Sequence, residues 1–469
     1  MFRSVLVLSL IAVASAAASA RGTQNPIFDV RTHGATGDGK THDTQALNKA
    51  VDAAGAAGGG QVLFSPGKYL TGTIHLKSNV TLVLDAGAEI IGTSDLDQYD
   101  NFSPPAGTPL ADRRRWHRAL ILGVGVENVT ITGGGGGVIN GAKVFDARGE
   151  ERMRGPHTVL FGNSKNVVIR DVSIVDSANY AVMLEFTSNV DVRGVKITGG
   201  WDGVHFRGWK DNPCRDVSIT DCEFYTGDDC VAGWYWEDIL IAGCVINSSC
   251  NGIRLIGPAS RLTIHDCLFY GPGKHEHRTS RDRKRRNMLA GLCLQPGAWD
   301  RTEGVLDDVK ISNVTMHDVT TPLHLSLREG NTTGRVSVDH LTATGVYRAA
   351  ASIESWAAQH VGHVTLRDVT MEFTGGGTEE QARAEVNRPG VDARPLPAWG
   401  IYARNVGALD LQNIRLSLRE PDARPAIIAD GVETLSLDGW RLPPGSESSI
   451  TLKNVKSIRA RDPVLPGAK

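Results

Sequence analysis

The sequence predicts an all-β chain: a single-stranded right-handed parallel β-helix, a solenoid, with one helix capping its N-terminal end. Three observations carry that expectation. A short strand-like phrase repeats at intervals of 22–23 residues, turn formers separate the copies, and only one stretch of the chain has a strong helical pattern.

The chain starts Met1-Phe2-Arg3, runs apolar from Val5 to Ala17 and closes that stretch with Ala18-Ser19-Ala20, the order of a secretory signal. Residues 1–20 are therefore read as a signal peptide, and residues 21–469 as one β-helix domain, secreted or periplasmic. A single Arg before the apolar run, and no Cys near the expected cleavage point, fit general export without a lipid anchor. No later segment approaches the roughly 20 apolar residues that a membrane helix needs. With 50 Lys and Arg against 52 Asp and Glu, the net charge is too small to draw nucleic acid or a membrane surface by field strength.

The helical pattern runs from Asp43 to about Ala56. Ala46, Leu47, Ala50, Val51 and Ala54 form one apolar stripe behind Asp43 as the expected cap. A solenoid needs its open apolar end covered, and this helix is the candidate lid.

The repeated phrase is Asn/Asp-Val-x-Ile-x-Asp/Gly/Asn. It occurs at Asn128, Asn166, Asn189, Asp216, Asp238, Asp308 and His363, with looser copies near Arg261, Arg335, Ala408, Glu433 and Ser449. Each copy alternates β-branched and polar residues, as a strand with one buried face does, and residues 133–137, Asn163-Ser164 and Gly199-Gly200 supply turns. Coils of this length stack in parallel at ~4.8 Å, whereas a β-sandwich would show hairpin signals, which are few here. All seven cysteines lie between Cys214 and Cys293. Cys222, Cys244 and Cys267 occupy one place in three successive copies, so a buried ladder of core thiols is expected, although stacked Cα atoms at ~4.8 Å would also permit a disulfide. Residues 374–398, rich in Gly, Glu, Arg and Pro, read as a surface excursion.

Three consecutive coils carry the candidate chemistry: Trp201-Asp202-Gly203-Val204-His205-Phe206-Arg207, then Thr226-Gly227-Asp228-Asp229-Cys230-Val231-Ala232-Gly233-Trp234, then Ser249-Cys250-Asn251-Gly252-Ile253-Arg254-Leu255. Aligning their apolar alternation stacks Asp202, Asp229 and Asn251, with Asp228 alongside. Carboxylates this close cannot all ionise easily, so at least one pKa should rise. That lets an acid and a base coexist, which glycoside hydrolysis requires. An isolated Asp-Asp pair is more often a turn or a calcium site.

These motifs resemble the family 28 glycoside hydrolases, the polygalacturonase group, in a divergent bacterial-type branch. The resemblance runs from Val30-Arg31-Thr32-His33-Gly34-Ala35-Thr36-Gly37-Asp38-Gly39 through Arg154-Gly155-Pro156 to Thr226-Gly227-Asp228-Asp229-Cys230. It implies an inverting hydrolase of pectin-type or related plant polysaccharides, with Asp228 as general acid, Asp202 and Asp229 holding and deprotonating water, and no cofactor or metal. The family's Gly-His-Gly falls on Cys250-Asn251-Gly252, and its Arg-Ile-Lys falls on Cys293-Leu294-Gln295. An Asn cannot relay a proton, and the usual grip on a sugar carboxylate is missing.

The alternation puts His205, Ala232, Arg254 and Cys293 on one outward row, so Arg254 is a candidate clamp for an acidic sugar and otherwise a solvated strand residue. His205, Arg207, Trp234 and Asn251 complete the candidate substrate-binding set. His205 could equally be a neutral surface histidine, and the cluster Trp234-Tyr235-Trp236 could be packing. Arg278 to Arg286 is a basic insertion, either a solvated loop or a steering element for an anionic polymer. A monomer acting on a polysaccharide or oligosaccharide is expected. A calcium-dependent polysaccharide lyase and a non-catalytic carbohydrate-binding solenoid are the competing readings.

Overall fold

A computed structural model describes residues 26–103, 117–278, 284–441 and 450–461, so the signal-peptide reading lies outside the described residues. The chain forms the expected right-handed parallel β-helix. Three parallel ladders run its length. The first contains Val182–Glu185, Val204–Arg207, Val231–Trp234, Asn251–Leu255 and Ala290–Leu294. The second stacks Lys165–Arg170, Ser188–Arg193, Cys214–Thr220, Trp236–Ala242 and Ala259–His265. The third stacks Ser173–Val175, Lys196–Thr198, Glu223–Thr226, Val245–Ser248 and Leu268–Tyr270.

The repeated phrase is the second-ladder strand together with its two corners. Its leading residue turns into the left-handed region at Asn128, Asn166, Asn189, Asp216, Asp238, Arg261 and Asp308, with φ between 52° and 58°. Its closing residue does the same at Asp171, Gly194, Asp221, Gly243, Asp266 and Asn313. Asn, Asp and Gly tolerate that region best, which is why those types mark both ends. Between the corners the β-branched pairs Val190 and Val192, Val217 and Ile219, and Ile239 and Ile241 point inward and are buried.

The cysteine ladder is as expected: all seven cysteines are free and buried. The Sγ atoms of Cys222 and Cys244 face the Val192 and Ile219 carbonyls of the preceding coil, both at 3.6 Å.

Helix α1 (Thr44–Ala56) buries Leu47, Ala50, Val51 and Ala54 against the first coil. Asp43 holds the N-cap position but does not cap through its side chain. Its carboxylate accepts instead from the Thr36 and Gly37 amides at 2.7 and 3.0 Å, tying down the preceding turn.

Residues 374–398, which include α2 (Glu379–Ala382), are more than a surface excursion. Leu396 and Ala398 pack on Ala350, Tyr402 and Ile428, and Arg394 pairs through both terminal nitrogens with buried Glu354 at 2.8 Å. The segment is thereby fastened over the C-terminal part of the first ladder.

Candidate active site

Register alone brings the aspartates together. Val204 pairs with Val231 and Val231 with Ile253, so Asp202, Asp229 and Asn251 each stand two residues ahead in adjacent strands. The turns before them are tight. Gly200 has φ 70°, and a β-carbon on Gly227 would overlap the Gly200 and Glu276 carbonyl oxygens. Asp202, Asp228 and Asp229 are all buried, and each brings an oxygen within 4.8 Å of the others.

Their surroundings differ. Asp228 receives a 2.7 Å hydrogen bond from Arg154 Nη2 and has His277 Nδ1 at 3.7 Å. Burial pushes its carboxyl up, but His277 and Arg154 outweigh that and hold it well below the usual carboxylate range. Asp229 accepts from the Asn251 amide at 2.9 Å and from Asn251 Nδ2 at 2.8 Å, with Arg254 Nη1 at 3.6 Å. Burial nonetheless leaves it raised. Asp202 is raised furthest, by burial and then by the charges of Asp228 and Asp229. It shares a 2.6 Å hydrogen bond with His205 Nδ1, whose ring burial holds well below its ordinary value, so the bonded pair favours a proton on the carboxyl. The expectation that crowding raises at least one carboxyl therefore holds for two.

The remaining predicted residues fall around this centre. His205 stacks on Tyr180, centroids 4.2 Å apart, and its Nε2 has no partner among the described residues. Trp234 stands edge-on to His205 and lines the cleft, whereas Trp236 of the same cluster turns into the core against Phe206. Arg207 backs the cleft wall but is sealed: its Nη1 lies 3.5 Å from buried Glu185, and its guanidinium covers the Tyr180 ring. Arg254 occupies the predicted row beside Ala232 and Cys293, and also donates to the Val391 carbonyl at 2.7 Å.

Several contributors carried no sequence signal for a role. Glu150, Glu151, Tyr180, His277, Trp299 and Asp392 line the same cleft of about 200 Å³. They come from turns, from the short strand His277–Arg278 of the basic insertion and from the 374–398 segment, where no period fixes position. Arg154 lay in a quoted motif, yet only the fold sets it against Asp228. Within the basic insertion, residues 279–283 lie outside the described residues, and Arg285 reaches the Cys250 sulfur at 3.0 Å.

Comparison with known proteins agrees with this fold. Residues 27–254 match the family model described as rhamnogalacturonase A/epimerase, pectate lyase-like. A probable polygalacturonase of Vitis vinifera is 29% identical over 214 residues, 43% of this chain and 43% of that protein. An exopolygalacturonase structure from Thermotoga maritima superposes with a TM-score of 0.59 at 18% identity, covering 84% of this chain and 92% of that one. A family 28 exopolygalacturonase from Yersinia enterocolitica gives 0.50 at 16% identity, covering 93% and 78%. The chain is thus similar in sequence to polygalacturonases over part of its length, and it shares the parallel β-helix fold of the exopolygalacturonase structures.

Proposed function

We propose that the protein is an exported, inverting hydrolase of pectin-type polysaccharides or their oligosaccharides, with Asp202, Asp228 and Asp229 as its reaction centre. The observation that carries this reading is the convergence of three buried carboxylates whose neighbours shift them in opposite directions, Asp202 and Asp229 up and Asp228 down. One protonated carboxyl gives its proton to the leaving glycosidic oxygen as the C1–O bond breaks. An ionised carboxylate takes a proton from the water whose oxygen bonds to C1. Inversion rests on the carboxylate pair that can hold that water. Spacing does not argue for it, since the nearest oxygens approach closer than the ~6.5–9.5 Å typical between acid and base.

The resemblance makes Asp228 the acid. The charge distribution favours a second assignment, because His277 and Arg154 lower the Asp228 carboxyl while burial and the neighbouring aspartates raise that of Asp202. Asn251 positions Asp229 through its two hydrogen bonds, and Arg254 stands where it can also meet a sugar carboxylate. The lyase reading, with calcium among the aspartates, is disfavoured because Arg154 and Arg254 already face that cluster.

Reducing-sugar release from polygalacturonate, rhamnogalacturonan and their oligosaccharides tests the proposal. Asp228→Asn and Asp202→Asn are each expected to lower kcat by roughly 10²–10⁴-fold or more. Only loss of the acid should be partly rescued by a nitrophenyl leaving group, and NMR of the first-formed anomer reads the stereochemistry. Turnover that survives both substitutions would sink the assignment. A C=C absorbance in the products would turn it to the lyase.

A further inference from the structure

Beside the aspartates, rings from successive coils stack on one another. His157 and Tyr180 have centroids 5.0 Å apart, and the Tyr180 amide donates to His157 Nδ1 at 3.3 Å. Tyr180 and His205 lie 4.2 Å apart and within 10° of parallel, and Trp234 meets His205 edge-on at 5.4 Å. The Tyr180 hydroxyl donates to Glu150 at 3.2 Å, so the ring on which His205 rests is held at its backbone and at its hydroxyl.

Arg207 faces this stack. It follows His205 by two positions in the strand Val204–Arg207, so both side chains leave the same side of the ladder. Its guanidinium carbon is 5.6 Å from the centre of the Tyr180 ring and 5.8 Å from that of Trp234, the two rings that flank His205. Only 1% of Arg207 is exposed, which puts it out of reach of a sugar in the cleft. Its counter-ion Glu185 is fully buried and is shared with His117 Nδ1 at 2.7 Å. A buried ion pair adds little net stability over well-packed apolar side chains, so the fold alone does not account for this arginine.

The electrostatic consequence of Arg207 falls on the hydrogen bond between His205 Nδ1 and Asp202. Its hydrogen resides on the carboxyl when the ring is neutral and on the ring when it is not. Besides Asp202, the titratable and charged groups facing His205 are Arg207, His157, Arg154, Asp228 and Tyr180. Burial opposes a charged ring most, followed by Arg207, His157 and Arg154, while Asp228 favours one. Arg154 is engaged by Asp228, which leaves Arg207 as the cation set against the His205 stack.

We propose that Arg207 is a positioning residue of the reaction: from its place beside the Tyr180–His205 stack it holds His205 as a neutral acceptor, so that the shared hydrogen stays on the Asp202 carboxyl. The inference rests on the hydrolase reading above, in the assignment that makes Asp202 the acid, and it takes Arg207 out of the substrate contacts.

The test reads His205 directly, by NMR of the intact protein carrying nitrogen-15 histidine. The His205 signals, identified by their loss in His205→Asn, should be those of a neutral ring throughout about pH 5–8. Arg207→Met, which removes the charge and keeps most of the volume, should give the imidazolium pattern at about pH 6, and Arg207→Lys should return the neutral one. Arg207→Met combined with Glu185→Gln leaves no unpaired buried ion and should also give the imidazolium. On pectic oligomers, kcat of Arg207→Met should fall roughly 10-fold with KM nearly unchanged, because a tenfold shift of the hydrogen toward His205 leaves about a tenth of the Asp202 carboxyls protonated. Circular dichroism confirms that each variant is folded. A neutral His205 in both Met variants, or an imidazolium with kcat unchanged, would overturn the proposal while leaving the hydrolase reading standing. A parent protein that cleaves no pectic glycan would overturn that reading and the role of Arg207 in it.

Discussion

At the scale of single residues, the three aspartates are chemically alike and made different by their neighbours. The asymmetry has a consequence for stability. Asp202 has a folded pKa above its unfolded value of ~3.9, so above that pH the unfolded state releases a proton that the folded state keeps, and stability falls as pH rises toward the raised pKa. Asp202→Asn removes that cost and keeps an N–H for His205 Nδ1. It should therefore melt higher than the parent at pH 7, with the gain closing as pH falls toward ~4. Asp228 has a lowered folded pKa, so it contributes stability above ~3.9 that is lost as pH falls through the folded value. Asp228→Asn leaves Arg154 and His277 facing a neutral amide and should melt lower at pH 7. Melting curves of the two variants across pH 4–7 check both signs. Shifts in the same direction at pH 7 would refute this distribution of charge among the aspartates.

At the scale of the element, the coil is specified by its two corners as much as by its inward Val and Ile. Asn79, Asn128, Asn166 and Asn189 stack along one edge, and the side-chain amides of Asn128, Asn166 and Asn189 each donate to the Asn of the coil before at 2.7–2.8 Å. Each of these residues is also left-handed, so a substitution combines lost hydrogen bonds with backbone strain. Asn166→Gly removes the bonds and keeps the conformation cheap, whereas Asn166→Ala adds a strain of about 1–2 kcal/mol. Urea denaturation should rank the parent above Gly and Gly above Ala. Equal stability of Gly and Ala would show that the corner carries no strain. Inside the coil, Ile241 is fully buried between Ile219 and Ile264, so Ile241→Ala should cost about 2–5 kcal/mol by the same measurement.

At the scale of the molecule, a solenoid's stability depends on how its ends and its open face are closed. Helix α1 covers the first coil with four fully buried apolar side chains. Leu47→Asp places an unpaired charge there and should expose the end of the stack. Self-association on size-exclusion chromatography, with faster proteolysis of the N-terminal coils, is the expected outcome. An unchanged elution volume and protease pattern would mean that the helix is dispensable. The 374–398 segment closes part of the open face, and its anchors at Glu354 and Arg254 join distant coils.

By itself the sequence determined the fold, the lid helix, the cysteine ladder, and the stacking of Asp202, Asp229 and Asn251 with Arg254 on the outward row. Apart from the helix, which its own apolar stripe marks, these follow from two periods, the alternation of side chains along a strand and the 22–23-residue coil, which together fix register without knowledge of the turns. The tertiary structure alone decided which aspartate meets Arg154 and His277, that Arg207 is sealed against Glu185, that Trp234 and Trp236 part company, and that Asp392 reaches the cleft. The contacts of Arg154, His277 and Asp392 come from turns and insertions with no period, and the longest join residues 74 or 137 positions apart, as in Arg154 with Asp228 and Arg254 with Val391. Their partners are set by how the coils pack, and so are the protonation states of the aspartates.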